Sequence, residues 1–212
     1  MALGTLLILG TGGHAQSVWE AARHQYRRIL FLSNDPTILA AGEFCGCPAF
    51  YDAENNALAL HEPFDAAIVA IGENYKRLAL TGDLFDRNIP LATVIHPTAS
   101  VSAAADVQPG SCILAQAAVN AFASMGRACI INTGAVVEHG CRLGAGVHLS
   151  PRAALGGNTT LGDCAWMCIG AVAAHNITIG EGSVIAANAA VVSAIPPRVL
   201  AAGVPARVKR HF

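Results

Sequence analysis

The sequence predicts a two-part fold, in which a small parallel α/β unit precedes a solenoid of parallel β-structure. Two patterns predict it: an apolar segment at residues 6–9 runs into a glycine-rich loop at residues 10–15, and from Ile95 onward an apolar residue returns every six positions. The composition agrees, because 53% of the 212 residues are apolar and only 6% are aromatic. Such a composition indicates a layered interior of aliphatic side chains and alanine.

The six-residue repetition covers residues 95–196, the second predicted domain. Four residues after each anchor stands a second residue, which is mostly small. Sixteen of the seventeen anchors are large and apolar and one is alanine: Ile95, Val101, Val107, Ile113, Val119, Met125, Ile131, Val137, Leu143, Leu149, Leu155, Leu161, Met167, Ala173, Ile179, Ile185 and Val191.

A period of six matches neither a helix, which repeats every 3.6 residues, nor a strand, which repeats every 2. It predicts short strands joined by turns, with one large and one small side chain pointing inward each time. Three such walls close a coil of eighteen residues, and nearly six stacked coils make a column roughly 27 Å tall. The spacing leaves the hand of the coil open, because parallel crossovers are right-handed in about 98% of cases.

The first predicted domain, residues 1–94, has the features of a nucleotide-binding unit. Strands are predicted at residues 6–9, 29–32 and 66–71, with a helix over 17–24. The loop fits G-x-G-x-x-[G/A], and Asp35 lies twenty residues beyond Ala15. A dinucleotide site is a rival interpretation, but the segment has room for one mononucleotide-binding half only.

Charge and cysteine content exclude several classes. Thirteen Lys and Arg against fourteen Asp and Glu leave no basic excess, so no nucleic-acid partner is expected. The apolar start lacks the positive segment of a signal peptide, and the uncharged stretch 107–126 carries the six-residue rhythm, so we expect a cytoplasmic protein with no membrane partner. Seven cysteines without a CxxC pair predict reduced thiols and no metal site.

The register places chemistry-bearing residues on the column. His139 lies outside the core, and one coil onward stands Gly157, whose backbone N–H is free to meet a carbonyl oxygen. His148 follows half a coil after His139, so within one chain the two point from different walls and would meet only across a subunit boundary. Outward apolar residues favour burial against another copy: Leu114, Phe122, Ile130 and Val136.

Several motifs accompany the repeat: Gly10-Thr11-Gly12-Gly13-His14-Ala15, Ile95-His96-Pro97, Ile131-Asn132-Thr133, Val137-Glu138-His139, Val147-His148-Leu149-Ser150-Pro151 and Ala202-Gly203-Val204-Pro205-Ala206. Together with the hexads they resemble the NeuD/PglD-type sugar acetyltransferases, over essentially the whole chain. The resemblance implies a left-handed parallel β-helix behind a Rossmann-like mononucleotide-binding domain. It also implies a homotrimer with active sites between subunits.

The activity implied by the resemblance is N-acetylation of a nucleotide-linked amino sugar. Acetyl-CoA would donate its acetyl group directly, without a metal, and a UDP-4-amino-4,6-dideoxy-hexose is the expected acceptor. Acetyl transfer from a thioester to an amine needs a group that removes a proton, and an imidazole suits that task.

The resemblance also assigns roles to individual residues. It makes His139 the general base. It gives the positioning of acetyl group and acceptor to Asn132, His148, Gly157 and Glu138, and nucleotide-sugar binding to Gly12, Gly13, His14, Asp35, Gly72, Asn74 and Arg77. The terminal segment 197–212 would lie near coenzyme A, which Gly157, Gly203, Pro205 and Arg210 would contact.

One position departs from the family pattern, which usually has Asp or Glu directly after the catalytic histidine. Here that residue is Gly140. Another carboxylate or water would orient the ring, or His139 works without an orienting group. Three other functions stay open: O-acetylation of a sialic-acid-like sugar, a zinc-dependent β-helix hydratase, and a non-catalytic binding subunit.

Overall fold

The computed structural model describes residues 3–54, 56–57 and 60–212, and both predicted parts are present in them. The elements of the first part are β1 (Leu3–Leu9), α1 (Gly13–Ala22), β2 (Tyr26–Ser33), α2 (Thr37–Ala41), β3 (Glu43–Phe44), β4 (Cys47–Tyr51), β5 (Ala66–Val69) and α3 (Asn74–Asp86).

The strands of the first part form one sheet in the order β3-β4-β2-β1-β5. β1 pairs in parallel with β2 and β5, and β2 pairs in parallel with β4, whereas β3 and β4 form an antiparallel hairpin. The strands predicted at 6–9, 29–32 and 66–71 are confirmed, although β5 ends two residues early. A parallel sheet with helical connections is the expected Rossmann-like arrangement.

The helices differ from the sequence prediction at their ends. α1 begins directly after the glycine loop and is over by Ala22, because the chain then turns into β2. α3 occupies a segment in which the sequence analysis predicts no helix. Glu73 caps α3, since its side chain accepts hydrogen bonds from the N–H groups of Tyr75 (3.0 Å) and Lys76 (2.6 Å).

The second part is a parallel β-helix of two-residue strands. They are β6 (Val94–Ile95), β7 (Ser100–Val101), β8 (Asp106–Val107), β9 (Cys112–Ile113), β10 (Ala118–Val119), β11 (Ser124–Met125), β12 (Ile130–Ile131), β13 (Val136–Val137), β14 (Arg142–Leu143), β15 (His148–Leu149), β16 (Ala154–Leu155), β17 (Thr160–Leu161), β18 (Trp166–Met167), β19 (Val172–Ala173), β20 (Thr178–Ile179), β21 (Val184–Ile185) and β22 (Ala190–Val191).

Each strand from β6 to β19 pairs with the strand eighteen residues further on, as Ile130 does with His148 and His148 with Trp166. The strands therefore form three walls, of six, five and eight strands, and the eight include two strands from the end of the chain, Val199–Ala202 and Arg207–His211. The chain passes from the eight-stranded wall to the six-stranded wall, then to the five-stranded wall and back. The predicted register and fold class are confirmed, and the helix is left-handed.

The interior of the column is built as the hexads predict. The large residues and their small companions are buried in one continuous cluster, from Ile113 to Val191 and beyond. Each fully buried large aliphatic side chain contributes about 1.5–3 kcal/mol. The repeated hexads thus supply the core of the β-helix from residues within the repeat itself.

The eight-stranded wall, which we call the covered wall, packs against the first domain through its first three strands, β6, β9 and β12. Leu114 and Ile130 are 2% and 0% exposed and lie in the same cluster as α1 and β1 residues. The prediction that they face another copy is therefore wrong, because the chain's own first domain covers them. Phe122 is 77% exposed and Val136 half-buried, so these two do remain outside.

The end of the chain extends the covered wall instead of trailing from it. β23 (Val199–Ala202) pairs in parallel with β21, and β24 (Arg207–His211) returns antiparallel to β23. Among the described residues, no helix is long and apolar enough to cross a membrane.

Candidate active site

His139 stands at the corner between the six-stranded and five-stranded walls. It is exposed, and its ring lies over the backbone of Gly157, one coil further on: a Cβ atom at position 157 would come within 2.6 Å of Cε1 and 2.7 Å of Nε2. The stacking predicted from the register is thus present. Among the described residues, the Gly157 N–H has no hydrogen-bond acceptor, so it is free to bind an oxygen beside the imidazole.

The position after His139 is a glycine, and a side chain from the next coil occupies the space beside it. The Asn158 side chain lies against Gly140, whose φ is +66°, so a larger residue at 140 would displace it. Glu138 is half-buried, and its Oε2 accepts a hydrogen bond from the His139 N–H at 3.2 Å. This carboxylate therefore braces the backbone of the corner. Asn132 lies at the corner before it, where its Oδ1 accepts from the Thr133 N–H at 2.8 Å.

His148 has the opposite environment. It lies on the covered wall, 8% exposed, and neither ring nitrogen has a hydrogen-bond partner among the described residues. Its ring stacks on Trp166, with 5.5 Å between centroids and an interplanar angle of 4°, and the Trp166 indole donates to the Ser150 hydroxyl at 2.8 Å. Two unpaired buried nitrogens are costly unless a ligand satisfies them, so they point to a binding site.

His14 brings the first domain to His148. The two ring centroids are 6.5 Å apart, and His14 Nε2 lies 3.8 Å from the Cys112 sulfur. Burial, and then the nearby charge of Arg77, lower the pKa of His148 to about 3 and that of His14 to about 4. Both imidazoles are therefore neutral at physiological pH. Burial raises the pKa of the Cys112 thiol to about 12.

A cleft of about 390 Å³ opens at the carboxyl ends of β1, β2 and β5. The sequence-predicted residues that line it are Gly12, Gly13, His14, Asp35 and Gly72. It lies at the amino end of α1, where the Gly13 and His14 N–H groups have no acceptor among the described residues. A helix start with unpaired N–H groups is suited to phosphate. Lys76 also lines the cleft, and the sequence analysis does not select it.

Asp35 is exposed at the rim of this cleft. Its Oδ1 accepts hydrogen bonds from the Thr37 N–H (3.0 Å) and hydroxyl (2.8 Å), and these bonds hold the pKa of the carboxyl below its usual value. Its own N–H donates to the Ser33 hydroxyl. One carboxylate oxygen therefore stays available to a ligand hydroxyl or base edge.

Asn74 and Arg77 lie elsewhere, although the sequence analysis places them with the nucleotide. Neither lines the cleft, and both are buried between α3 and the β-helix, at 6% and 1% exposure. The expectation that they contact the nucleotide directly does not fit this position, because α3 turns their side chains toward the column. Asn74 Nδ2 donates to the Cys164 carbonyl at 3.0 Å.

Of the four residues expected near coenzyme A, Gly157 lies beside His139 and the other three lie in the terminal hairpin. Gly203 has φ +102° and Pro205 follows it in the connection between β23 and β24, while Arg210 is exposed on β24 with its guanidinium 4.9 Å from the Phe212 ring. All three lie in this hairpin, whose strand β23 is the third strand beyond β15 of His148 along the covered wall. A second pocket, of about 350 Å³, lies between the start of α3 and the covered wall, and Trp166, Arg198 and Phe212 are among its lining residues, whereas Gly203, Pro205 and Arg210 are not.

Trp166 is the contact that the sequence analysis misses. Its position is eighteen residues after His148, so the coil length alone could have placed it beside that ring. Among the described residues, no group of three or more His, Cys, Asp or Glu side chains could hold a metal ion.

Comparison with known proteins agrees with this geometry. Residues 5–84 match the PglD N-terminal domain family. PerB from Caulobacter crescentus, solved with CoA and GDP-perosamine, is 36% identical, with coverage of 99% of both chains and a TM-score of 0.87. The acetyltransferase domain of PglB from Neisseria gonorrhoeae, solved with acetyl coenzyme A, is 35% identical over 97% of this chain and 98% of that one, with a TM-score of 0.90.

The curated relatives match over a shorter length. Galactoside O-acetyltransferase of Escherichia coli (strain K12) is 45% identical over 53 residues, 25% of this chain and 26% of that protein. The alignment to a putative acetyltransferase of Schizosaccharomyces pombe is similarly short, so the chain spans about a quarter of the curated relatives it matches. Given its 36% identity to PerB over nearly the whole of both chains, the protein belongs to the PglD/NeuD type of hexapeptide-repeat sugar acetyltransferases.

Proposed function

We propose that this protein transfers the acetyl group of acetyl-CoA to the amine of a nucleotide-linked 4-amino-4,6-dideoxy sugar. One observation carries the proposal: the nucleotide-type cleft at the start of α1 ends at His14, which lies 6.5 Å from the unsatisfied imidazole of His148. A ligand anchored by its phosphates in the cleft would reach the β-helix at that ring. PerB, a relative over the full length, was solved with CoA and GDP-perosamine.

In the first domain, the nucleotide part of the substrate would lie in the cleft. The diphosphate would accept hydrogen bonds from the free N–H groups at Gly13 and His14, and the side of the cleft near Asp35 would hold the ribose or base. Gly12 and Gly72 allow close approach, since a Cβ atom at either would meet no other atom within 4 Å. The sugar would then project toward His14 and His148.

The general base would come from a second copy of the chain. His139 lies on the corner between the six-stranded and five-stranded walls, whereas His148 lies on the covered wall, so one chain does not hold both at one ligand. Apolar side chains along and beside the six-stranded wall are exposed, which supports burial of that wall in a homotrimer: Phe122, Ile169, Val172 and Val192. In such a trimer the His139 corner of one chain would face the covered wall of its neighbour.

The chemistry requires one proton acceptor and one oxyanion site. The sugar amine attacks the thioester carbonyl carbon, forming the N–C bond as His139 takes the amine proton. The Gly157 N–H, beside that imidazole, would stabilise the oxyanion. Collapse breaks the C–S bond, and the proton leaves with the CoA thiolate. Neutral His148, with Asn132 and Glu138 near the corners, would orient the acyl group and acceptor.

Coenzyme A would extend from this point toward the terminal hairpin. Gly203 and Pro205 lie in its connection, and Arg210 is an exposed cation suited to the 3′-phosphate. The protein would act in the cytoplasm, where acetyl-CoA and nucleotide sugars are available.

The identity of the nucleotide has two candidates. The sequence analysis expects UDP, while the full-length likeness to PerB, solved with GDP-perosamine, favours GDP. Thiol release from acetyl-CoA, measured with UDP- and GDP-linked 4-amino sugars and with a sialic-acid-like sugar, tests the function and the nucleotide together. We expect release with one nucleotide amino sugar and a product stable to mild base. A base-labile ester formed on the sialic-acid-like sugar would establish O-acetylation instead.

A further inference from the structure

Arg77 is the largest fully buried side chain of the protein, and all of its hydrogen-bond donors are used. Nε donates to the Ala128 carbonyl at 2.7 Å. Nη1 donates to the carbonyls of Ile71 (3.1 Å) and Gly72 (3.2 Å), and Nη2 to the Gly146 carbonyl (2.7 Å) and Asn74 Oδ1 (2.9 Å). Five donors thus join the loop before α3 to two turns of the β-helix.

The positive charge of this guanidinium has no anionic partner. All five acceptors are neutral oxygens, and among the described residues no carboxylate lies within 4 Å of Arg77. The acidic side chain nearest along the chain, Glu73, is engaged in capping α3. A guanidinium stays protonated in proteins, and a buried charge without a counter-ion is costly. Glu73 therefore acts on the guanidinium only from a distance, and among the described residues no anion is in contact with it.

The cleft wall lies directly in front of this charge. In a planar trans peptide the C=O and N–H groups point in opposite directions, so the carbonyls of Ile71 and Gly72 that face Arg77 turn the N–H groups of Gly72 and Glu73 away from it. Neither N–H has an acceptor among the described residues. Gly72 lines the cleft, and the space beside its Cα is empty.

The charge is also felt inside the cleft. It contributes, after burial, to the lowered pKa of His14, which lines the cleft, and of His148 beyond it. An imidazole carries no negative charge, so neither His14 nor His148 is a counter-ion for Arg77. The available place for an anion is the cleft itself, between the start of α1 and the Gly72 N–H group.

We propose that Arg77 is a positioning residue for the diphosphate of the substrate, which serves as its counter-ion across the 71–72 wall. Its two Nη1 hydrogen bonds hold the 71–72 and 72–73 peptide units with their N–H groups away from the guanidinium, the Gly72 N–H at the cleft wall. Its charge, which no carboxylate contacts, favours a dianionic ligand in the cleft. This inference rests on the proposed nucleotide-sugar function for the identity of the ligand, but not for the anion site.

The test separates the effect of the Arg77 charge from the effect of its hydrogen bonds. Binding is measured by titration calorimetry, with inorganic pyrophosphate as the probe. UDP and GDP are compared with uridine and guanosine, which lack the diphosphate. Asn74→Asp places an anion beside Arg77 without removing the guanidinium. Arg77→Met removes charge and hydrogen bonds, and Arg77→Lys keeps the charge. Arg87→Met, at the exposed end of α3 in a pair with Asp83, is the control.

We expect Asn74→Asp and Arg77→Met to weaken pyrophosphate binding by about tenfold, and Arg77→Lys to keep most of it, because the lost interaction is one between charges. Uridine and guanosine affinities stay within about twofold, and Arg87→Met binds pyrophosphate as the wild type does. If Arg77→Met does not fold, as its melting curve would reveal, Asn74→Asp decides.

The proposal is overturned if Asn74→Asp binds pyrophosphate as tightly as the wild type, or if pyrophosphate and nucleoside affinities fall together. It is also overturned if the wild type binds UDP and GDP no better than the nucleosides. Loss of pyrophosphate binding in Asn74→Asp, in a protein that acetylates no amino sugar, would support the Arg77 inference and reject the proposed function.

Discussion

His139 and His148 lie half a coil apart on one column, yet they occupy opposite environments. His139 projects from an open corner, where its ring rests on Gly157. His148 lies on the covered wall between Trp166 and His14, with a pKa lowered to about 3 by burial and then by the charge of Arg77. His139 lies in a turn between two walls, whereas His148 lies in strand β15 of the wall that the first domain covers.

The difference supports the different tasks that we propose for the two imidazoles. A base must exchange protons with solvent during turnover, which an exposed ring can do. A neutral, desolvated ring is suited to accept or donate one hydrogen bond to a bound ligand, since it carries no charge to desolvate again. Three measurements test this comparison, in order of expected effect.

Replacing the exposed histidine has the largest expected effect. His139→Ala should lower kcat by about a hundredfold to ten-thousandfold in thiol-release assays, with an unchanged melting temperature, because general-base catalysis supplies rate enhancement of that size. His175 is a matched control, since it is exposed on the same corner two coils further on. His175→Ala should retain wild-type kcat. Equal rates for His139→Ala and the wild type would remove His139 from the mechanism.

Crowding the corner should act through the same ring. Gly157→Ala brings a Cβ atom within 2.6 Å of the His139 ring, so the ring must move, and a displacement of about 1 Å costs about a hundredfold in kcat. Its melting temperature should fall too. In the His139→Ala background, however, Gly157→Ala should leave melting almost unchanged, because the clash is gone. A loss of equal size in both backgrounds would contradict the stacking of ring on backbone.

The covered histidine should reveal itself in the pH dependence of stability. The unfolded chain binds a proton on His148 near pH 6.5, whereas the folded chain does so only near pH 3. The unfolding free energy is therefore highest above pH 6.5 and falls as the pH drops below it, by up to about 1.4 kcal/mol per pH unit from this group. His14 acts in the same direction. Denaturant melts between pH 4.5 and 7 should show a shallower slope for His148→Gln, and an unchanged slope would contradict the buried, neutral state.

The β-helix could be predicted from the sequence because residues that stack on one another are separated by a constant eighteen positions. Ile130, His148 and Trp166 are stacked because they are eighteen residues apart, and the hexad anchors are buried because they repeat. The placement of Gly157 beside His139 follows from the same count. The cleft residues Gly12, Gly13, His14, Asp35 and Gly72 also follow from local loop chemistry.

The errors concern contacts between the two domains. Leu114 and Ile130 are covered by the first domain, which nothing in the hexad pattern indicates. Arg77 and Asn74 belong to α3, and the direction of that helix relative to the column turns both side chains away from the nucleotide cleft. Lys76, one residue before Arg77, points into the cleft for the same reason.

The amino-acid sequence by itself determined the column, its register and the pairing of His139 with Gly157, because a repeat encodes its geometry in differences between residue numbers. The tertiary structure alone decided which wall is covered, why His148 is neutral and where the Arg77 charge lies. Those properties depend on desolvation, and desolvation is set by whichever distant segment packs over a residue.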